Sequence, residues 1–178
     1  MLPSIQTHSG LYFDFENPQV EQVLIEDVAH ALSNICRYNG HCAQFYSVAQ
    51  HAVLVSHLVD EDHEWEAFHH DDGEAYTGDV PTPLKQLLPQ FKKIEKRVEK
   101  TIAKKFGLPK KMTHEVKIGD LQALMIEKRC LLTIQNHWAI LDGVPEPKID
   151  HIIPLPPELA KKLYLDRYEE LKAKHNKM

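Results

Sequence analysis

Residues 68–85 read F-H-H-D-D-G-E-A-Y-T-G-D-V-P-T-P-L-K. His69, His70, Asp71, Asp72 and Glu74 crowd onto roughly one and a half helical turns. Charges packed this closely repel, and they need either open water or a cation between them. Imidazole beside carboxylate suits a divalent ion of the zinc, manganese or cobalt kind. His51 stands near the start of one helical segment, His70 and Asp71 on the next, and Asp120 far downstream on a third. Side chains from three helices converge only in the interior of a bundle, where bundles build such centres. The stretch therefore predicts an all-α fold, and the rest of the chain agrees.

Upstream, Ile25, Val28, Ala29, Leu32, Ile35 and Cys36 recur at helical spacing, with the acidic Glu26 and Asp27 at the favourable N-terminal end. Ser47-Val48-Ala49-Gln50 has the form of a capping box and opens a helix through Val55, Leu58 and Val59. Residues 64–77 read as one helix that Gly78 stops, and Pro81, Pro83 and Pro89 punctuate the loop beyond it. Ile94, Val98 and Ile102 mark the inner face of a lysine-rich helix ended by Gly107 and Pro109. A long helix is expected from about Met112 to about Ile140, with Leu121, Leu124, Met125 and Leu132 pointing inward. After Pro154, Pro156 and Pro157 a last helix carries the stripe Leu159, Leu163 and Leu171. Leu11 to Phe15 alternates enough to predict a short strand near the N-terminus. No repeat or linker interrupts this pattern, so a single domain over 1–178 is expected.

The bulk composition narrows the function classes. A chain of 178 residues can bury a core without staples, and 43% hydrophobic with 26% charged residues is ordinary for a globular protein. No apolar run approaches the ~20 residues of a membrane span. The N-terminus lacks the basic start and apolar stretch of a signal peptide, which predicts a cytoplasmic protein. Three cysteines without a CxxC spacing read as buried thiols, not as a disulfide framework. A net charge of −5 argues against nucleic acid as the main partner. The 12 histidines are numerous enough to invite a search for a cluster.

Three segments carry a resemblance. S-V-A-Q-H-A-V-L-V-S (47–56), H-H-D-D-G-E-A-Y-T-G-D-V-P-T-P-L-K (69–85) and V-K-I-G-D-L-Q-A-L (116–124) resemble the HD-domain metal-dependent phosphohydrolases in order and spacing. The likeness runs over about residues 5–135. It implies an HD-domain helical bundle in which His51, His70, Asp71 and Asp120 hold a divalent metal (Co²⁺, Mn²⁺ or Zn²⁺) and Glu74 is the catalytic carboxylate. Glu74 follows His70 at i+4 and Asp71 at i+3, which puts all three on one helical face.

Two subgroups of that family share the G-D-x-P-x-P-L-K tail. One comprises 5′-deoxynucleotidases, which remove phosphate from deoxyribonucleoside monophosphates. The other comprises dATP triphosphohydrolases of bacteriophages that write 2-aminoadenine in place of adenine. Both carry an arginine and an aromatic residue ahead of the first metal histidine, and Arg37-Tyr38 fills that slot. T-H-S-G-L-Y-F-D-F (7–15) and I-C-R-Y-N-G-H-C-A-Q-F-Y-S-V-A-Q-H (35–51) look more like the viral enzyme. That likeness implies cleavage of dATP to deoxyadenosine and tripolyphosphate, with further Mg²⁺ bound to the triphosphate. The 5′-deoxynucleotidase is the alternative. A catalytically idle HD module used for binding is the alternative of another class, and the intact ligand set with Glu74 speaks against it. The family also implies a homo-oligomer, a dimer or a hexamer.

Around this frame, Asp79 reads either as turn chemistry or as a substrate contact, and Lys85 could reach a phosphate as a point charge. Lys117, one turn before Asp120, is expected on the metal-facing side. His69 and Asp72 depart from the family's apolar and small residues and read as supporting or surface groups. His41 could touch the substrate, whereas Trp65 and Trp138 read as core. Between Lys92 and Lys111, nine Lys and Arg stand against Glu95 and Glu99. This reads as a solvated face, with a polyphosphate funnel as the weaker reading.

Overall fold

Every residue of α2 (Val48–Ser56) is buried, as its apolar make-up on nearly all sides requires of a central helix. The Ser47 hydroxyl caps it by accepting from the Gln50 backbone N–H at 3.2 Å. Only this half of the capping box forms. The Gln50 amide turns instead to the segment before the last helix, donating to the Ile153 carbonyl and accepting from Leu155 N–H. Around α2 pack α1 (Ile25–Asn34), α3 (Glu64–His69), α7 (His114–Leu131) and α8 (Pro157–His175). The chain between α3 and α7 forms α4 (Glu74–Thr77), α5 (Thr82–Gln86) and α6 (Pro89–Phe106). This computed structural model describes residues 3–176; the two residues at each end of the expected 1–178 domain lie outside the described residues.

The fold is all-α apart from one antiparallel pair. β1 (Ser4–Gln6) runs against β2 (Tyr12–Asp14) with Ile5 opposite Phe13. β2 lies within the expected 11–15, whereas β1 carried no recognisable alternation. Phe13 is fully buried and stacks on Tyr76 of α4 at 3.8 Å between ring centroids, so the ribbon is pinned beside the segment of interest.

Four expectations about helices change. Residues 64–77 are not one continuous helix. His70 and Gly73 keep helical dihedrals, but bonds such as Glu74 N–H to the Asp71 carbonyl at 2.9 Å tighten the 70–73 stretch into turns. α7 ends at Leu131, well before Ile140, because the Gln135 side chain donates to the carbonyls of Lys128 and Leu132 and satisfies the helix end. Its buried face is Val116, Gly119, Ala123, Ile126, Glu127 and Leu131, while Leu121, Leu124, Met125 and Leu132 are half-buried. In α8 the inward residues are Ala160, Tyr164, Arg167 and Leu171; Leu171 faces inward as expected, whereas Leu159 and Leu163 are 52% and 37% exposed and their neighbours Ala160 and Tyr164 take the inner face. Buried Arg167 explains the misreading, since a charge marks an outer face only when it has no partner inside. Here its guanidinium reaches Glu64, Glu170 and the Ser56 hydroxyl.

Candidate metal centre

Three elements bring the expected residues together. α2 supplies His51, the tight turn after α3 supplies His70 and Asp71, and α7 supplies Asp120. One ligand atom each from His51, His70 and Asp120 fall within 4.8 Å of one another. His51 Nε2 lies 3.2 Å from Asp120 Oδ1 and 3.5 Å from Asp71 Oδ2; His70 Nε2 lies 3.1 Å from Asp71 Oδ2 and 4.0 Å from Asp120 Oδ1. Ligands about 2.1 Å from a divalent ion are separated by roughly 3.0–4.2 Å, so the spacing suits a common ion.

The orientation of the rings supports the same fit. His51 Nδ1 meets Glu127 Oε1 at 2.6 Å, and His70 Nδ1 meets the Ala67 carbonyl at 2.7 Å. Each ring is thereby fixed through one nitrogen. The other nitrogen, Nε2, is buried in both and has no hydrogen-bond partner. Buried polar atoms are rarely left so, and two of them turned toward two carboxylates fit a cation. The imidazoles are sealed in, whereas the side chains of Asp71 and Asp120 are 21% and 36% exposed, so the centre opens to solvent on its carboxylate side.

Without a cation, protons compensate these charges. Burial and Arg37 oppose a charge on His51, but Glu127 and Asp120 outweigh them and its pKa is pushed up to about 9. Burial is likewise overcome at His70 by Asp71, and its pKa is also pushed up to about 9. Against the opposing effect of burial, His70 and His51 hold the Asp71 carboxyl far below the usual range. Glu74 moves the other way. Burial, then the neighbouring charges of Asp71 and Asp79, raise it well above the ordinary carboxylate range.

Glu127 did not stand out in the sequence, yet it ties the centre to the residues beside it. It is fully buried, and its second oxygen accepts from Arg37 Nε at 3.0 Å and from the Tyr38 hydroxyl at 2.9 Å. Arg37 and Tyr38 thus sit immediately behind His51. Arg37 reaches on to Asp79 at 3.6 Å. Tyr38 has a left-handed backbone, φ 56°, an uncommon and costly state for a bulky residue. A signal existed: Glu127 follows Asp120 by seven residues, two turns of the same helix face.

Other expected groups are placed differently. Lys85 is held between Glu74 Oε1 at 3.4 Å and Glu95 Oε1 at 2.5 Å. Lys117 is exposed and forms no ion pair among the described residues. His69 and Asp72 are both fully buried, which removes the surface reading: His69 Nδ1 meets Asp72 Oδ2 at 2.6 Å, and the Tyr164 hydroxyl donates to Asp72 Oδ1. They brace the metal-bearing turn against α8.

The family described as 5′-deoxynucleotidase YfbR-like matches residues 28–130, a span that contains every side chain of this centre. The chain belongs to that family. It is also 43% identical over 168 residues to the uncharacterized protein YfdR of Escherichia coli K12, covering 94% of each chain. An uncharacterized protein of Rhodobacter capsulatus is 32% identical over 111 residues, 57% of each chain. The YfbR-like family, within the HD superfamily, suggests a metal-dependent hydrolase, and the His–Asp group described above could hold the ion. Among the described residues no helix is long and apolar enough to cross a membrane.

Proposed function

We propose that the chain is a 5′-deoxynucleotidase, converting deoxyribonucleoside 5′-monophosphates to deoxynucleoside and inorganic phosphate. The observation that carries the reading is the convergence of two buried, unpartnered imidazole nitrogens with Asp71 and Asp120, one turn from a carboxyl whose pKa is raised. When bound, a divalent ion supplies charge stabilisation to the phosphoryl group and acidifies water. His51, His70, Asp71 and Asp120 would hold it. Glu74 takes the proton of the attacking water, and a carboxylate made more basic by burial and by the nearby charges of Asp71 and Asp79 suits that task. As the water oxygen bonds to phosphorus, the bond to the 5′-oxygen breaks and the proton passes to the departing hydroxyl. Arg37 would meet the charge that grows on the non-bridging oxygens, with Tyr38 and Asp79 beside its guanidinium.

The family match supports the monophosphate. The flanking words of residues 7–15 and 35–51 favour dATP, but Lys85, expected to reach a phosphate, and Lys117, expected on the metal-facing side, add nothing to that reading. Lys85 is already neutralised by two glutamates, and Lys117 is exposed and pairs with no acid of the centre among the described residues. The test is to incubate the Mn²⁺-loaded protein with dAMP and dATP at equal concentration and identify the phosphate released. Faster release of orthophosphate from dAMP is expected; faster release of tripolyphosphate from dATP reverses the assignment. Turnover of neither supports an idle module.

A further inference from the structure

The lysine run left over from the sequence surrounds a groove. Between α3, α6 and the segment leading into α7 lies a cavity of about 930 Å³, at the upper end of the roughly 300–1,000 Å³ typical of small-molecule sites. Lys96, Lys100 and Lys104 come from successive turns of α6, and Lys110 and Lys111 from the following loop. None of the five forms an ion pair among the described residues, whereas Lys85, Lys161, Lys162, Lys172 and Lys174 all do. Like charges at i, i+4 repel, and of the two acids on the wall Glu66 is committed to Thr113 N–H and hydroxyl at 2.7 and 3.0 Å. The groove is therefore an excess of unpaired positive charge in a concave surface, where field is concentrated.

Two further features say what kind of anion fits. Ile102, Leu108 and Met112 make an apolar strip along the wall, the surface a flat heterocycle needs. His69 lines the same groove and is fully buried, and its Nε2 has no hydrogen-bond partner. A hydroxyl, which can both donate and accept, would satisfy that nitrogen. Of the residues at the metal centre, only His70 touches the groove, so it is not the path by which substrate reaches Glu74 and Arg37.

We infer that this groove is a second ligand site, taking a nucleoside polyphosphate with its phosphates among the lysines and its nucleoside against the apolar strip. Inorganic polyphosphate shares the phosphate chemistry, so the test separates the two. The Mn²⁺-loaded Glu74→Gln variant, which should bind without turnover, is titrated calorimetrically with ATP, inorganic tripolyphosphate and dAMP. The same titrations follow with Lys100→Glu and Lys104→Glu added. Both lysines are exposed, so an unchanged circular dichroism spectrum is expected. ATP should fill a site that the charge reversals weaken at least tenfold and that added salt weakens in parallel. dAMP binding at the metal centre should not change. Tripolyphosphate binding as tightly as ATP supports the lysine site and makes the phosphate chain sufficient. ATP affinity indifferent to the charge reversals overturns the inference, whatever dAMP does, so its failure is distinct from failure of the nucleotidase reading.

A separate observation concerns Cys36 and Cys42. Their sulfurs are 3.5 Å apart, both residues are half-buried, and between them lies the segment that carries Arg37 and the left-handed Tyr38 and Asn39. We infer that they form a reversible disulfide by exchange with a small-molecule disulfide such as oxidised glutathione, pinning that segment. One thiolate attacks the reagent's sulfur and expels a thiolate. The second thiol, losing its proton to solvent, then attacks the protein sulfur of the mixed disulfide and expels the reagent's other half as a thiolate, so two electrons pass from the cysteine pair to the reagent. Titratable thiols should fall from three to one, leaving Cys130, with a Cys36–Cys42 peptide pair in the mass map and reversal by dithiothreitol. Three persistent thiols, or glutathione adducts without the internal pair, overturn it.

Discussion

At the residue scale the unforeseen group is the one that joins the site together. Glu127 is a buried carboxylate shared by His51, Arg37 and Tyr38, so it orients a metal-ligand ring through one oxygen and the arginine beside it through the other. Removing its charge leaves Arg37 buried beside Asp79 alone and frees the His51 ring. Glu127→Gln should therefore weaken metal affinity by about 10–100-fold and cost on the order of 3 kcal/mol of stability. Metal titration and chemical denaturation measure these separately; a variant that binds metal as tightly as the parent would show that the carboxylate does not orient His51. Replacing His70 or Asp71 by Ala should instead abolish both bound metal and hydrolysis while the helical circular dichroism signal largely survives. His51, His70, Asp71, Asp120 and Glu74 stood out in the sequence because each has a chemistry that a bundle interior rarely tolerates without a reason. Glu127 was overlooked despite sharing the face of Asp120, because a Glu followed by Lys128 and Arg129 reads as solvated until its partners from residues 37 and 51 are folded against it.

At the element scale the site depends on how closely α7 lies on α2. Gly119, the residue before Asp120, permits that approach: a Cβ built there would stand 2.7 Å from Val59 Cγ1 and 3.6 Å from Val55 Cγ1. Gly119→Ala must displace Val59, in the turn that follows α2, or shift the Gly119 backbone away from it, at a cost of about 1–3 kcal/mol. Because the displaced backbone carries Asp120, metal affinity should fall with stability, a coupling that an overpacked core remote from the centre would not show. Denaturation and metal titration of the one variant test both, and unaltered metal affinity would place the Asp120 backbone outside the strained contact. The helices themselves followed from periodicity and caps, as Ser47 and Gly107 show. Their limits and faces followed less well, since the end of α7 is set by the Gln135 side chain and the inner face of α8 by Arg167 meeting Glu64. Such tertiary partners have no local signature.

At the scale of the molecule, the metal centre is a cross-link among α2, the turn after α3 and α7, elements that otherwise hold carboxylates and imidazoles in one buried cluster. Ion binding must add stability by mass action, about 2.7 kcal/mol when the free ion is a hundredfold above its dissociation constant. The pH dependence follows from the two rings. His51 and His70 have pKa values of about 9 in the folded, metal-free chain against 6.5 for an unperturbed ring. Raised values mean that protonation stabilises the metal-free fold; that contribution is complete below about pH 6.5 and is lost as pH climbs through about 9. A metal ligates only the neutral rings and must displace those protons, so its affinity rises over the same interval. The melting temperature gained by adding Mn²⁺ to chelator-treated protein should thus be small near pH 6 and grow toward pH 9. His51→Asn, which removes one titrating ring and one ligand, should flatten the metal-free decline and shrink the gain together. A gain independent of pH would mean that the rings are neutral before the ion arrives, and the buried charges of Glu127 and Asp71 would then need another counter-charge.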